Sequence, residues 1–330
     1  MIDLRTMPHI LRNLASGPRA RNPRWSLHQA MFQQSLLIVS VFYVVTAAQL
    51  YERARYLSDL SESLDSLDLL WPVWWIRSVG VHEGGQIIAH IGLAAGLLGI
   101  ICWRLLAVRV LVSAALLLYA AYANSHGAMN NGYHEWFWIS VCFWLLPTGR
   151  TQDVGRTRSG RMHFLTAFSM APFLIFLFYT LSGLYKCKAA FMALIGGYTG
   201  GFSPDALAIT SAARAIQTGS HPLWANLAVE HPWLGWPLFS GLYFVELLSV
   251  LVFFRPSLHR TWGVILIMFH FGTLLFMDIT FDQHVLIDGL LFVLSPFAIG
   301  KQDWRAQLLA LPVVGDLWSL VLRRRAVHAH

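Results

Sequence analysis

Residues 164–184 read FLTAFSMAPFLIFLFYTLSGL, and Tyr185, Lys186, Cys187 and Lys188 follow directly. The 21-residue run carries no charged side chain. At about 1.5 Å of rise per residue, a helix of that length crosses a hydrocarbon core roughly 30 Å thick. Ammonium groups at the mouth of such a segment cost free energy wherever they meet hydrocarbon, so they are expected to have a task there. Lys186 is the first candidate for the centre of this protein's chemistry.

The rest of the chain repeats the apolar pattern. Of 330 residues, 56% are hydrophobic and 12% charged, about half the charge of an ordinary soluble domain. Eight apolar stretches stand out: Met31–Leu50, Gly84–Cys102, Leu105–Ala123, His134–Pro147, His163–Lys186, Trp236–Phe254, Thr261–Ile279 and Gln283–Ile299. The expected fold is all-α, a polytopic membrane helix bundle of about eight transmembrane helices. The fourth and eighth stretches are short for that thickness.

A net charge of +7 suggests a nucleic-acid partner until the cations are placed. With the N-terminus inside, only Arg53, Arg55, Arg77, Lys186, Lys188 and Arg214 fall outside, and the other 18 of the 24 lysines and arginines are cytoplasmic. This bias matches the positive-inside rule. It predicts both termini cytoplasmic, with the basic residues serving topology and lipid contact rather than nucleic acid. Arg109 is expected to snorkel to the cytoplasmic surface. The chain then divides into an Arg-rich cytoplasmic segment (1–30), a membrane domain (31–300) and a basic cytoplasmic tail (301–330). The Arg-rich start has no apolar core of a signal peptide, so none is expected to be cleaved.

Two outer segments are long. In Tyr51–Glu83, leucines 57, 60, 64, 67 and 70 mark one helical face, and Trp71, Trp74 and Trp75 follow. This spacing predicts an outer-face amphipathic helix with an aromatic anchor. In Ala189–Pro232, Ser203-Pro204-Asp205 resembles a helix start, with Ser203 as N-cap and Pro204 first in the helix, as part of a helical cap over the bundle.

The polar residues gather on the same side. His134 and Glu135 open the fourth stretch after Asn130 and Asn131; His82 and Glu83 precede the second, with His90 about 9 Å further in by helical rise. Asp278, Asp282 and His284 bracket the last outer turn, Asp288 lies just inside, and Glu246 and His270 fall near the midplane. A carboxylate at that depth must pair or be protonated, and a Glu246–His270 pair would satisfy both residues. Each histidine also has an ordinary structural explanation, as an interfacial side chain or one hydrogen-bonded inside the bundle. Cys102, Cys142 and Cys187 are scattered, and no H-E-x-x-H, G-x-S-x-G, phosphate loop or dinucleotide fingerprint occurs. No metal site is expected. A transporter would show internal repeats or matching broken helices, and neither is present.

The segment from Phe178 through Ser182-Gly183 to Lys186 resembles the aromatic, small-glycine, lysine end of a membrane helix in the vitamin K-dependent gamma-carboxylase-like proteins, the horizontally transferred transmembrane (HTTM) family. Asn130 to His134 is similar to that family's Asn-His element. Phe269-His270, Leu274 to Phe276 and Leu294 to Phe297 are similar to its closing helices, so the resemblance spans roughly residues 30–300. It implies an outward-facing site in which Lys186 is the base on a quinol such as menaquinone or vitamin K, supported by His134 and His270. His90, Tyr185, Glu246 and Lys188 would hold that cofactor, and a peptide or small molecule would be modified. The alternative is a non-catalytic membrane subunit of a respiratory or photosynthetic complex that packs against partner subunits and holds a quinone or pigment.

Overall fold

The computed structural model describes residues 27–61, 67–126, 132–149, 151–298, 303–313 and 315–316. Among these every regular element is helical: α1 (Leu27–Ser61), α2 (Ile76–Val79), α3 (Val81–Cys102), α4 (Leu106–Asn124), α5 (Gly132–Cys142), α6 (Thr151–Arg156), α7 (Arg158–Ile195), α8 (Ala206–Thr218), α9 (Ala225–Glu230), α10 (Gly235–Phe253), α11 (His259–Met277), α12 (Asp282–Asp288) and α13 (Trp304–Ala310). Six of them, α1, α3, α4, α7, α10 and α11, are long and apolar enough to cross a membrane. The chain is a multi-pass integral membrane protein, all-helical among the described residues. Its fourth and eighth apolar stretches form shorter pieces, α5 continued by a 3-10 turn at Phe143–Leu145, and α12 continued by a π-helical turn at Gly289–Val293. The N-terminal segment 1–26, the Asn130-Asn131 pair and the tail beyond 316 lie outside the described residues.

The chain forms two compact units that divide at Ala171 and Pro172, within α7. In the first unit α3 packs on α1 through glycines. A methyl on Gly92 would lie 3.0 Å from Leu50 Cβ, and Gly96 and Gly99 abut Ala47 and Tyr43. Small residues let backbones approach where no hydrophobic effect drives helices together. Trp136 of α5 is fully buried and stacks on Phe42, ring centroids 4.8 Å apart.

Arg109 does not snorkel. Its side chain is 0% exposed and donates to the carbonyls of Phe143 at 2.7 Å and Leu146 at 2.5 Å. The Phe143 carbonyl also accepts the Leu146 N–H that closes the 3-10 turn, at 3.1 Å, and the one nitrogen Nη1 bonds this carbonyl together with that of Leu146 at the frayed end of the turn.

Of the amphipathic helix expected over residues 57–70, residues 62–66 lie outside the described residues. α1 runs unbroken to Ser61, and residues 67–70 are not helical. Pro72 opens a 3-10 turn at Trp71–Val73, with Leu70 extended before it. The N–H of Leu70 goes to Ser125 Oγ at 3.1 Å, and Trp74 Nε1 donates to the Leu69 carbonyl at 2.8 Å. Backbone groups claimed by other partners do not continue a helix. Trp71 and Trp74 are exposed, as an aromatic anchor requires.

In the second unit α7 does not end at Lys186. Its 38 residues run to Ile195, about 57 Å by helical rise, so Lys186 sits in the body of the helix. The cap region is helical, but its first helix begins at Ala206 with Asp205 at the N-cap position. Ser203 instead closes the preceding turn, its Oγ accepting the Gly200 N–H at 3.1 Å and its carbonyl accepting the Ala206 N–H at 3.1 Å. Pro204 therefore precedes the helix. α8 packs on α9, α10 and α11.

Candidate functional site

Thr180, Gly183 and Lys186 recur every third residue and lie along one side of α7. That side meets α10. Thr180 Oγ1 donates to the Glu246 carbonyl at 3.3 Å and accepts the Val250 N–H at 2.9 Å. One turn on, a methyl at Gly183 would stand 2.7 Å from the Leu247 nitrogen and 2.9 Å from Glu246 Cβ. Only hydrogen fits there, and the close approach sets the Glu246 carboxylate against the next residue of the row. Lys186 Nζ donates to Glu246 Oε1 at 2.5 Å. The Glu246 side chain is 2% exposed and that of Lys186 37%, so the carboxylate is enclosed while the ammonium keeps a route outward. The second carboxylate oxygen, Oε2, is buried and accepts no hydrogen bond.

Lys186 also overlies the Phe269 ring of α11, Nζ 5.6 Å from its centroid, within the range of a cation–π contact. Phe269 is a wall of an apolar cavity of about 290 Å³ between α8, α10 and α11, lined also by Leu207, Phe239, Val245, Met268 and Thr273. The ion pair therefore stands at the shoulder of a space shaped for hydrocarbon.

A second polar cluster lies deeper on the same helix. Tyr179 precedes Lys186 by seven residues and shares its face two turns away. Its hydroxyl is 2.8 Å from His270 Nε2 on α11 and 2.9 Å from Asp288 Oδ2 on α12. The expected Glu246–His270 pair is therefore not the arrangement found. Glu246 belongs to Lys186, and His270 to Tyr179 and Asp288, whose Oδ2 is 3.6 Å from Nε2. The rings of Phe281 and His284 enclose His270 at 5.0 and 5.1 Å.

Of the remaining candidates, Tyr185 and Lys188 lie on exposed surface of α7. His134 and His90 belong to the other unit. His134 Nε2 is 3.0 Å from Asn124 Nδ2, and the exposed His90 lies with Nδ1 2.6 Å from the carbonyl of Gln86 one turn back. Among the described residues no three histidine, cysteine or carboxylate side chains gather as a metal-ligand set. Sequence reasoning assigns no role to Tyr179, Thr180 or Gly183, although their i, i+3, i+6 and i, i+7 spacings to Lys186 are the signal that could find them.

Comparison of the chain with protein families, curated proteins and solved structures gave no match.

Proposed function

We propose that this protein is an outward-facing membrane enzyme of the HTTM type, acting on a lipid-soluble quinol through the Lys186–Glu246 pair. One observation carries the reading: an ammonium and a buried carboxylate in 2.5 Å contact at the edge of an apolar cavity. Eight passages, with α5 and α12 completing the fourth and eighth, and cytoplasmic termini put this site on the outer side of a bacterial inner membrane. The lysine and arginine bias supports that orientation.

The residues fit such a ligand. The cavity takes a hydrocarbon tail, and Glu246 Oε2 is a buried acceptor without a donor, ready for a hydroxyl. A bound quinol would supply reducing equivalents to oxygen. The chain's own part is to hold the head group, exclude water and move protons. Lys186 acts as a base only when the proton shared across the short contact rests on Glu246, leaving a neutral amine and a neutral acid. The substrate modified is a peptide or small molecule reaching the site from outside.

Oxygen uptake by the purified chain with reduced menaquinone tests the reading. Uptake in wild type that falls to background in Lys186→Ala and in Glu246→Gln is expected. Uptake that persists in both variants removes the pair from the chemistry. A folded wild-type chain with no uptake favours a second reading, the non-catalytic subunit of a larger complex. That reading draws on α10 and α11, whose apolar windows are only 28% buried and so leave surface for partner helices. Its mark is stable co-purification with other membrane subunits.

A further inference from the structure

The Tyr179–His270–Asp288 cluster has a direction. A tyrosine hydroxyl has one proton to give and two lone pairs with which to accept. Here it donates to the Asp288 carboxylate at 2.9 Å. The 2.8 Å contact with His270 Nε2 then needs its proton from the imidazole, so Nε2 carries the hydrogen. A neutral imidazole with hydrogen on Nε2 has a bare lone pair on Nδ1. That atom is buried and has no hydrogen-bond partner, in a residue 4% exposed. Carboxylate, phenol and imidazole together leave a basic atom of the ring without a partner.

We propose that His270, Tyr179 and Asp288 form a buried proton-accepting relay, distinct from the Lys186–Glu246 pair, in which His270 Nδ1 takes the proton of an O–H or N–H group on a ligand. Tyr179 and Asp288 are its positioning residues. The transfer balances without a charged imidazole. The ligand's proton bonds to Nδ1, the Nε2 proton passes to the Tyr179 oxygen, and the phenolic proton passes to Asp288. The ligand is left as an anion, Asp288 as a neutral acid, and His270 as the opposite neutral tautomer. Of the groups facing His270, the Asp288 carboxylate at 3.6 Å favours an imidazolium, and two others oppose one. Lys186 on α7 and His284 on α12 both lie within electrostatic reach, so a cation on the ring would sit against a second cation.

The relay is independent of the quinol reading, and so is its test. Histidine-15N and aspartate-13C labels in the full-length chain, held in lipid nanodiscs, report the protonation of each nitrogen and carboxyl by solid-state NMR. His270→Asn and Asp288→Asn assign the signals. At neutral pH, His270 should show a protonated Nε2 and a bare Nδ1. On acidification the first proton should appear as an Asp288 acid signal, with His270 switching to the Nδ1–H tautomer. Tyr179→Phe, which keeps the ring and removes the hydroxyl, should abolish the coupling, so that His270 shows mixed tautomers and Asp288 titrates without it. A protonated Nδ1 in wild type at neutral pH overturns the proposal. So does an imidazolium that forms while Asp288 is still a carboxylate, or a Tyr179→Phe spectrum identical to wild type. The wild-type measurements need no variant to fold, and oxygen uptake plays no part in them.

Discussion

Lys186 and Glu246 meet at 2.5 Å across α7 and α10, yet one side chain is 37% exposed and the other 2%. This asymmetry decides which partner the fold can lose. Without Glu246 the ammonium can turn toward its exposed side. Without Lys186 the carboxylate stays enclosed, with both oxygens lacking a donor. Breaking a buried pair costs about 3–5 kcal/mol, and the exposure of Lys186 brings the loss for Lys186→Ala to about 2 kcal/mol. Glu246→Gln should cost less than half of that, and Lys186→Met/Glu246→Leu should recover most of it. Thermal unfolding in one fixed detergent measures all three. A Glu246→Gln loss larger than that of Lys186→Ala would contradict the assigned burial.

Gly183 is the hinge of that geometry in the static sense: its missing side chain is what lets Glu246 reach Lys186. A methyl there meets the Leu247 backbone nitrogen at 2.7 Å, and backbone cannot rotate away as a side chain can. Gly183→Ala should therefore push α10 outward. The expected loss is about 1–3 kcal/mol, the usual range for overpacking, together with a lengthened Lys186–Glu246 contact. Gly241, with open space around its Cβ position, is the control on the neighbouring helix. Gly241→Ala should be neutral or slightly stabilising. Equal losses at the two glycines would show that helix propensity, and not the contact, sets the cost.

Much of this is legible in the amino-acid order, and the gaps have physical causes. Hydropathy and charge placement point to a helical membrane chain, since a bilayer demands long apolar helices whatever their packing. Glu246 and Lys186 both stand out as ionisable groups in or near hydrocarbon, but one sequence does not say which partner a buried carboxylate takes. His270 is a chemically reasonable choice for Glu246, and the approach of α7 to α10 at Gly183 decides otherwise. The leucine spacing over 57–70 is a genuine helical period. It fails at its far end, where Pro72 has no N–H to give and the side chains of Ser125 and Trp74 take the backbone hydrogen bonds of Leu70 and Leu69. Depth along its own helix sends Arg109 to the surface, whereas the carbonyls that hold it lie 34 and 37 residues away.

Those carbonyls make Arg109 a test of fork geometry. Nη1 reaches both Phe143 and Leu146, and Nη2 lies 3.5 Å from the Arg104 carbonyl. Hydrogen bonds from a charged donor contribute about 1.5–3 kcal/mol each, so Arg109→Met should lower stability by about 3 kcal/mol. Lysine keeps the charge, but its side chain is shorter and its one nitrogen cannot also reach the Arg104 carbonyl that Nη2 approaches. Arg109→Lys is expected to recover less than half of the loss, read as the shift in thermal midpoint. Full recovery by lysine would mean that charge alone holds the turn after α5.

Another salt link joins the end of α10 to the C-terminal segment. Arg255 Nη1 donates to the Ala310 carbonyl at 2.7 Å, and Nη2 donates to Asp316 Oδ2 at 2.8 Å. The cation thus satisfies the last carbonyl of α13 and a carboxylate six residues on. The hydrogen bond from Arg255 holds the Asp316 carboxyl below the usual carboxylate range, helped by the Val313 N–H. The sign follows from linkage: a depressed folded-state pKa adds stability that is fully present above the unfolded value, about 3.9. That stability is lost as pH falls from there through the lowered folded value. Asp316 is solvent-exposed, so the contribution is small and salt-sensitive. Protection from hydrogen exchange over residues 304–316, taken relative to the intrinsic rate at each pH, should hold steady near neutral pH and fall as the solution is acidified below about pH 4. Asp316→Asn should show the faster exchange already at neutral pH, and raised salt should bring wild type part of the way toward it. The Ala310 contact survives in that variant, so exchange within α13 should change less than exchange at Val313. Uniform loss of protection along the segment would show that the helix cap at Ala310, and not the carboxylate, is held through Asp316.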